Sequence, residues 1–396
     1  MLNHLVKLIW NRKTANLLII TEVAITFIVL FAIISMGRHF YQTYQIPLGY
    51  NVDNSWAISL NTGTGWDNEL HAKQLKNLVE VLRQQPQISS VGLSVDPILR
   101  NSEWSSHGEI NGKKIDFNVF KVNGSGPKNW GVELVAGRWF SKQDNEQNYD
   151  AVMVNQLFVD QVFGDKDPIN AEMPYNGSPD RNPRRIVGVF KEFRQRGDFS
   201  KPIPYVFYRY RFDIGDKYGV NYIHITFDQP QNAAYESTLL KVLKGVTPGW
   251  SFNIRSWRSL RQSLNNMVLV PMVVVSIVVG FLLIMVAMGL LGVLWQNINQ
   301  RTREIGLRRA VGASTMSIQG QIIGEMVTLA VFSMALASVI LLQVPLLNLV
   351  ETVTWANFWF SLVSATLTIL AIVVLCALYP SRVAIKMAPA LALHYE

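Results

Sequence analysis

Residues 301–314 of the chain read Arg-Thr-Arg-Glu-Ile-Gly-Leu-Arg-Arg-Ala-Val-Gly-Ala-Ser, and they lie between two long apolar runs. Four residues of this segment are arginines, and only Glu304 is acidic. Arginine is costly to move across a bilayer and accumulates in cytoplasmic loops of membrane proteins. We therefore expect this segment to face the cytoplasm.

The same segment carries the signals of a short helix. Glu304 precedes Arg308 by four residues, which is the favourable order for a helical ion pair. Gly312 can adopt the left-handed conformation that ends a helix, and Ser314 can cap the helix that follows. A short helix between two membrane spans is a place where a membrane protein contacts a soluble partner.

Four apolar runs approach or exceed the length that crosses a bilayer, which is about 20 residues. Charged residues make up only 16% of the 396-residue chain, which is low for a soluble protein. The sequence therefore predicts a polytopic α-helical membrane protein with a large α+β extracytoplasmic domain, 37–266, between helices 1 and 2. The predicted transmembrane helices are 15–36, 267–295, 322–342 and 358–378.

The distribution of lysine and arginine predicts the orientation. The N-terminal 1–14 carries three, 296–320 carries four, the tail 379–396 carries two, and 343–357 carries none. We therefore expect 296–320 to be a cytoplasmic coupling loop, 343–357 a short outer loop, and both termini cytoplasmic. The first apolar run is too long for the usual core of a signal peptide, so it is predicted to be an uncleaved anchor. An amphipathic helix over 1–14 is expected to lie on the inner leaflet.

The outer domain shows mixed helix and strand periodicity. The Asn111-Gly112 pair between alternating residues predicts a β-hairpin. One helix is expected over 257–298, with a bend at Pro271. Two strand–helix–strand units flank a middle section, which predicts one subdomain from 45–122 and 216–256 and a second inserted at 125–212. Strands are predicted at 55–60, 90–94, 150–154, 185–190, 222–227 and 251–254, and helices at 70–83, 156–163 and 233–243.

The sequence contains no recognisable catalytic set. The six histidines lack metal-binding spacing, and no phosphate-binding loop occurs, so neither a metal nor ATP is expected to bind to this chain. The outer domain holds 27 basic and 23 acidic residues, which gives no reason to expect nucleic acid. Cys376 is the single cysteine, so no disulfide forms within the chain. The basic cluster 181–185 is predicted to be a solvated loop.

Glu22 is the one acidic residue well inside a predicted span. An intramembrane acid is a functional hypothesis because its burial is costly. The alternative is that Glu22 faces another helix and is paired or protonated there, and the sequence leaves both open. Small residues that would allow close helix packing are Gly289, Gly292, Ser333, Ala337, Ser361 and Ala365.

The chain resembles the MacB/FtsX-type permease subunits of ABC transporters. The stretch from Arg303 to Ser314 is similar to the motif after the second span of that family. The tail 379–396 resembles its C-terminal ending, although Ala388 and His394 depart from the residues common there. Further similar stretches in the outer domain are 137–140, 154–164 and 186–193.

This resemblance implies a set of roles and partners. The family is a mechanotransmission group (type VII), and the resemblance is to a permease without a fused ATPase domain. The segment would be the coupling helix that docks on a cytoplasmic ABC ATPase dimer, which would itself bind ATP and magnesium. A second permease, the same or homologous, would complete a dimer in the bacterial inner membrane, in contact with its lipids, and a periplasmic adaptor or outer-membrane partner could join. The outer subdomains would be porter-like (45–122 and 216–256) and Sabre-like (125–212). The coupling residues would be Arg303, Glu304, Ile305, Leu307, Arg308, Arg309, Ala310, Val311, Gly312 and Ala313.

The expected function is therefore non-enzymatic export or extraction of a peptide, toxin, drug or lipoprotein, driven by movement of the outer domain. An FtsX-like regulator that activates a cell-wall hydrolase or senses a peptide is the alternative. A transmembrane sensor receptor is the weaker alternative, because the chain contains no cytoplasmic signalling domain.

Overall fold

In a computed structural model of the chain, the structure describes residues 13–63, 68–110, 112–123, 126–173, 183–209, 219–300, 307–308 and 311–386. The chain divides into two compact units. We call the first, Met1–Gln42 with Leu269–Glu396, the membrane unit, and the second, Thr43–Val268, the outer domain.

The helices and strands follow in chain order. The helices are α1 (Lys13–Tyr44), α2 (Asn68–Arg83), α3 (Gly126–Asn129), α4 (Gln156–Val162), α5 (Ala233–Val246), α6 (Trp257–Gln300), α7 (Thr315–Leu341), α8 (Gln343–Leu346) and α9 (Trp355–Lys386). The strands are β1 (Ser55–Asn61), β2 (Ile88–Ser94), β3 (Trp104–Ile110), β4 (Lys113–Val122), β5 (Leu134–Gly137), β6 (Asp150–Asn155), β7 (Glu172–Met173), β8 (Arg184–Phe190), β9 (Tyr205–Arg209), β10 (Tyr222–Phe227) and β11 (Ser251–Ser256).

The membrane unit contains helices α1, α7 and α9 and most of α6. These four helices are long and apolar enough to cross a membrane. They share one apolar interior to which each contributes side chains, because apolar residues recur on the face that each helix turns toward the others. Members of this interior are Val23, Phe27, Val286, Leu290, Ala330, Met334, Ala365 and Ile369.

Several predicted boundaries differ from the observed helices; α1, for example, ends at Tyr44 rather than at 36. Helix α7 begins at Thr315 rather than at 322, because the Ser314 side chain accepts a hydrogen bond from the backbone N–H of Ser317 and caps the helix there. Helix α9 continues to Lys386 with Pro380 inside it, rather than ending at 378. The connection predicted as 296–320 is therefore shorter, since α6 extends to Gln300.

One sheet runs through the outer domain, in the order β11-β1-β10-β2-β4-β9-β6-β8-β5, with β3 paired to β4 and β7 to β8. The sequence predicts two subdomains, whereas their strands are joined here. The joint is narrow, because β2 and β4 share the single pair Ser94 and Val122. The two parts also keep separate cores, one packed by α2 and α5 and the other by α4. The assignment of these parts as porter-like and Sabre-like stays a prediction.

The outer domain has a third core at the start of α6. Trp257, the first residue of α6, is fully buried there. Its ring packs edge-on against Tyr50 at 5.7 Å and against Trp130 at 5.9 Å between centroids. Aromatic edge-to-face contacts add to the free energy gained by burial. The first turn of α6 is thus fixed in the outer domain.

Candidate functional site

The predicted coupling segment is described in part. The structure places Leu307, Arg308, Val311, Gly312 and Ala313. The other predicted coupling residues lie outside the described residues: Arg303, Glu304, Ile305, Arg309 and Ala310. Residues 1–12 and 387–396 lie outside them as well.

A helical turn ends at Gly312, as the sequence predicts. The backbone N–H of Val311 donates to the Leu307 carbonyl at 3.0 Å, and that of Ala313 donates to the Arg308 carbonyl at 2.9 Å. Gly312 has a φ of 98°, a conformation that side-chain-bearing residues rarely adopt. This combination is the glycine-terminated helix end known as the Schellman motif.

The segment is attached to α7 by polar contacts. Arg308 Nη1 donates to Gln321 Oε1 at 2.7 Å, and Gln321 Nε2 donates to Glu325 Oε1 at 3.3 Å. Together with the Ser314 cap, these contacts connect the turn at 307–308 to the first turns of α7. The sequence does not identify Gln321 as a contact of the segment. Its position near the start of the third apolar run is the one local feature that points to it.

Apolar side chains of the segment face outward. Leu307 is 58% exposed and Val311 is 82% exposed. Exposed apolar side chains beside arginines are typical of a surface that binds another protein. The arrangement can therefore serve as a rigid docking surface joined to a membrane helix.

Glu22 is half-buried in the interior of the membrane unit, facing α6. Its Oε2 lies 2.7 Å from the position that a Cβ on Gly289 would occupy, so the absence of a side chain at Gly289 makes room for the carboxyl group. The close packing predicted at Gly289 is thus present. At Gly292 an added Cβ would meet no atom of the described residues within 4 Å, so no close helix packing is present there within this chain.

The other small residues lie at helix contacts, as predicted. Ser333, Ala337, Ser361 and Ala365 are buried. Near one end of the bundle, Asn357 Nδ2 donates to both the Ser35 carbonyl and Ser35 Oγ at 3.1 Å. This polar pair ties α1 to α9.

In the basic cluster 181–185, the prediction of a solvated loop holds at Pro183, which is exposed and lies outside any strand, but not at the two arginines that the structure describes. Arg184 and Arg185 belong to β8. The Arg184 guanidinium stacks over Tyr208 at 4.1 Å, and that of Arg185 over Tyr149 at 4.5 Å. The two rings belong to β9 and to the residue just before β6, which are distant in the sequence. The local sequence therefore does not reveal these contacts.

Four long apolar helices with an α/β domain between the first and the second are the architecture of a multispan membrane protein. Two families match the chain: the MacB-like periplasmic core domain over residues 17–239, and the FtsX-like permease C-terminal region over residues 276–389. The chain therefore belongs to the MacB/FtsX-type permeases of ABC transporters.

Relatives that match the chain are distant in sequence. The macrolide export ATP-binding/permease protein MacB of Bdellovibrio bacteriovorus is 26% identical over 288 residues, 66% of this chain and 41% of that protein. MacB of Chlorobaculum tepidum is 24% identical over 401 residues, 91% of this chain and 60% of that protein. The uncharacterized ABC transporter permease YvrN of Bacillus subtilis is 22% identical over 286 residues, 67% of each chain. The chain thus spans less than two thirds of either MacB protein.

Proposed function

We propose that this chain is the permease subunit of an ABC transporter whose ATP hydrolysis is performed by a separate cytoplasmic ATPase dimer. The closing and opening of that dimer would move the outer domain, and this movement would export or extract a substrate such as a peptide, toxin, drug or lipoprotein. The family, and relatives that are ATP-binding/permease proteins, support this proposal.

The observation that carries the proposal is the exposed surface formed by Leu307 and Val311 on a turn attached to α7. A surface that only bound a partner could be mobile. Here the Arg308–Gln321 contact and the Ser314 cap would pass a displacement of the docked partner directly to α7. We infer that residues 303–313 form the coupling helix.

Two further partners are part of the proposal. In the most hydrophobic stretch of α6 only 6% of the residues are buried, against 28–33% in the corresponding stretches of the other three helices. The exposed residues of α6 leave a face for lipid or for a second permease. We propose that a second permease covers part of it. Following the distribution of lysine and arginine, both termini and the coupling segment would be cytoplasmic. ATP and magnesium would be bound by the ATPase, and this chain would hold no cofactor of its own.

The test replaces Val311 by glutamate in the full chain, which is expressed with its ATPase and purified in detergent. An acidic side chain at the centre of an apolar docking surface would be desolvated without a partner, so we expect the ATPase to co-purify at a small fraction of its usual yield. Val135→Glu is the matched control, because Val135 is an exposed valine of the outer domain.

Undiminished ATPase recovery with Val311→Glu would show that the coupling segment is assigned wrongly. The same preparation separates transport from regulation. An adaptor that co-purifies with the ATPase points to export, whereas a cell-wall hydrolase that co-purifies points to the regulatory alternative.

A further inference from the structure

A groove of about 460 Å³ lies within the outer domain, beside the start of α6. Its floor is one face of the sheet. Ser59 is paired with Tyr222 of β10 and with Asn253 of β11, so the three side chains form a polar row across three strands. The opposite face of the same strands is covered by α2 and α5. The groove therefore occupies the face that these helices leave uncovered.

Most of the wall of the groove is apolar. Leu260, Leu264 and Met267 of α6 supply one side, and the loop 97–101 supplies the other. Met267 is 63% exposed, so its apolar side chain is accessible at the rim of the groove.

The wall is held in place before any ligand binds. The buried Gln195 donates through Nε2 to the Pro97 carbonyl at 2.7 Å. Leu99 has a φ of 61° and is buried, a strained conformation that persists only where the surrounding packing enforces it. An added Cβ on Gly197 would lie 3.3 Å from Leu264 and 3.7 Å from Leu99, so loop and helix are closely packed there. Preformed walls lower the free-energy cost of binding.

Arg100 and Arg255 line the groove, and among the residues that the structure describes no aspartate or glutamate lines it. Arg255 Nη2 donates to Ser263 Oγ at 3.0 Å, which directs the guanidinium along α6. The Asp96 carboxyl group lies near Arg100 but does not line the groove. Burial raises its pKa, and the positive charges of Lys121 and Arg100 oppose that rise. The two arginines thus offer donors to an anion.

We propose that this groove binds a single-chain amphiphile with an anionic head group. The apolar side chains of α6 and of the loop would cover the chain, and Arg100 and Arg255 would bind the carboxylate or phosphate at its end. The polar row of Ser59, Tyr222 and Asn253 would satisfy the remaining head-group oxygens. The volume falls within the range of small-molecule sites, about 300–1,000 Å³. This site does not depend on the coupling assignment.

The test is photolabelling of the full chain in nanodiscs of zwitterionic lipid. The probe is a fatty acid that carries a diazirine in its chain, and labelled peptides are located by mass spectrometry. We expect labels at 97–101 and 257–268, and competition by decanoate but not by decyltrimethylammonium, which has the same chain and the opposite charge. Arg100→Glu combined with Arg255→Glu should lower labelling of these peptides about tenfold or more, since two charge-assisted contacts are lost. Lys241→Glu, a charge reversal on α5, should leave it unchanged.

Three results would overturn the proposal. The first is equal competition by decyltrimethylammonium, which would mean that apolar contact alone drives binding. The second is equal competition by a short glutamate-rich peptide, which would mean that the groove is a peptide site. The third is unchanged labelling in the double variant. None of these involves the ATPase, so they are separable from a failure of Val311→Glu.

Discussion

Arg261 and Asp198 form a bidentate ion pair in the outer domain, with Arg261 Nε 2.7 Å from Asp198 Oδ2 and Nη2 2.9 Å from Oδ1. Asn265 Nδ2 donates to the same carboxylate at 2.8 Å. These three hydrogen bonds join the first turns of α6 to the loop that connects β8 with β9. The buried Arg194 of that loop donates to the Ser200 carbonyl at 2.6 Å, which fixes the loop itself.

Replacement of Asp198 by alanine should weaken the outer domain more than the loss of an exposed ion pair. The Asp198 side chain is only 2% exposed, whereas that of Arg261 is 37% exposed, so water can partly solvate the guanidinium that is left without its carboxylate. Loss of hydrogen-bond partners by a partly buried group costs about 1–3 kcal/mol of the free energy of unfolding. Urea unfolding of the full chain in detergent, followed by tryptophan fluorescence, measures it.

Asp53→Ala is the matched control for this prediction. It breaks the Asp53–Arg258 pair, which also involves the start of α6 but has side chains 64% and 78% exposed. Exposed pairs contribute under about 1 kcal/mol. Similar losses for the two variants would contradict the anchoring role of Asp198.

The buried His224 should make the outer domain sensitive to acid. Its Nε2 lies 2.8 Å from Ser94 Oγ, and its ring lies between Trp130 and Trp257. Burial lowers the pKa of His224 to about 3 from its ordinary value of 6.5. Between these two values the unfolded chain binds a proton that the folded chain does not, so the free energy of unfolding falls as the pH falls. The slope from this group is at most about 1.4 kcal/mol per pH unit.

His224→Gln tests that dependence, because glutamine is polar but does not titrate. The variant is expected to be less stable near neutral pH and to lose less stability on acidification than the wild type. Unfolding in urea at a series of pH values from about 7 to about 4 gives both slopes. Equal slopes would mean that other groups carry the acid sensitivity.

Local sequence signals predict many elements of this structure. The Asn111-Gly112 pair lies between β3 and β4, and Gly112 has a φ of 75°. Gly312 ends a helical turn and Ser314 caps α7, because a positive φ and a side-chain acceptor are requirements that one or two residues meet alone. The resemblance to the permease family is confirmed by both family matches.

Features that depend on distant contacts are not predictable in this way. Strand β9 is a buried apolar run that lacks alternation, and it belongs to the sheet only because β4 and β6 lie on either side. Arg308 contacts Gln321, a residue of the following span that no local signal connects to it. The predicted pair of Arg308 with Glu304 stays a prediction, because Glu304 lies outside the described residues. The groove combines β1, β10, β11 and α6, and no local pattern brings these together.

Two glycines of α6 should respond differently to leucine. Gly289 faces the Glu22 carboxyl group, whereas a side chain at Gly292 would meet no atom among the described residues within 4 Å of its Cβ. Gly289→Leu should therefore separate α1 from α6 and lower the melting temperature of the full chain in detergent. Gly292→Leu should be neutral or stabilising, because leucine favours helix over glycine by up to about 1 kcal/mol. An equal decrease in both variants would argue against the Glu22–Gly289 contact.

The final prediction concerns the glycine that ends the coupling turn. At Gly312 the φ of 98° is strained for any residue with a side chain, at a cost of about 1–2 kcal/mol, so Gly312→Ala should loosen the turn that holds Leu307 and Val311. Gly312→Trp should do the same and obstruct docking as well. Gly320→Ala is the control, because Gly320 lies inside α7 and no atom of the described residues is within 4 Å of a Cβ added there. If the turn transmits movement from an ATPase, Gly312→Ala reduces transport-linked ATP turnover while the chain still inserts into the membrane, and Gly320→Ala retains it. Full turnover in both variants would mean that the ATPase does not require a rigid turn at this place, so the force would have to reach α7 by another contact.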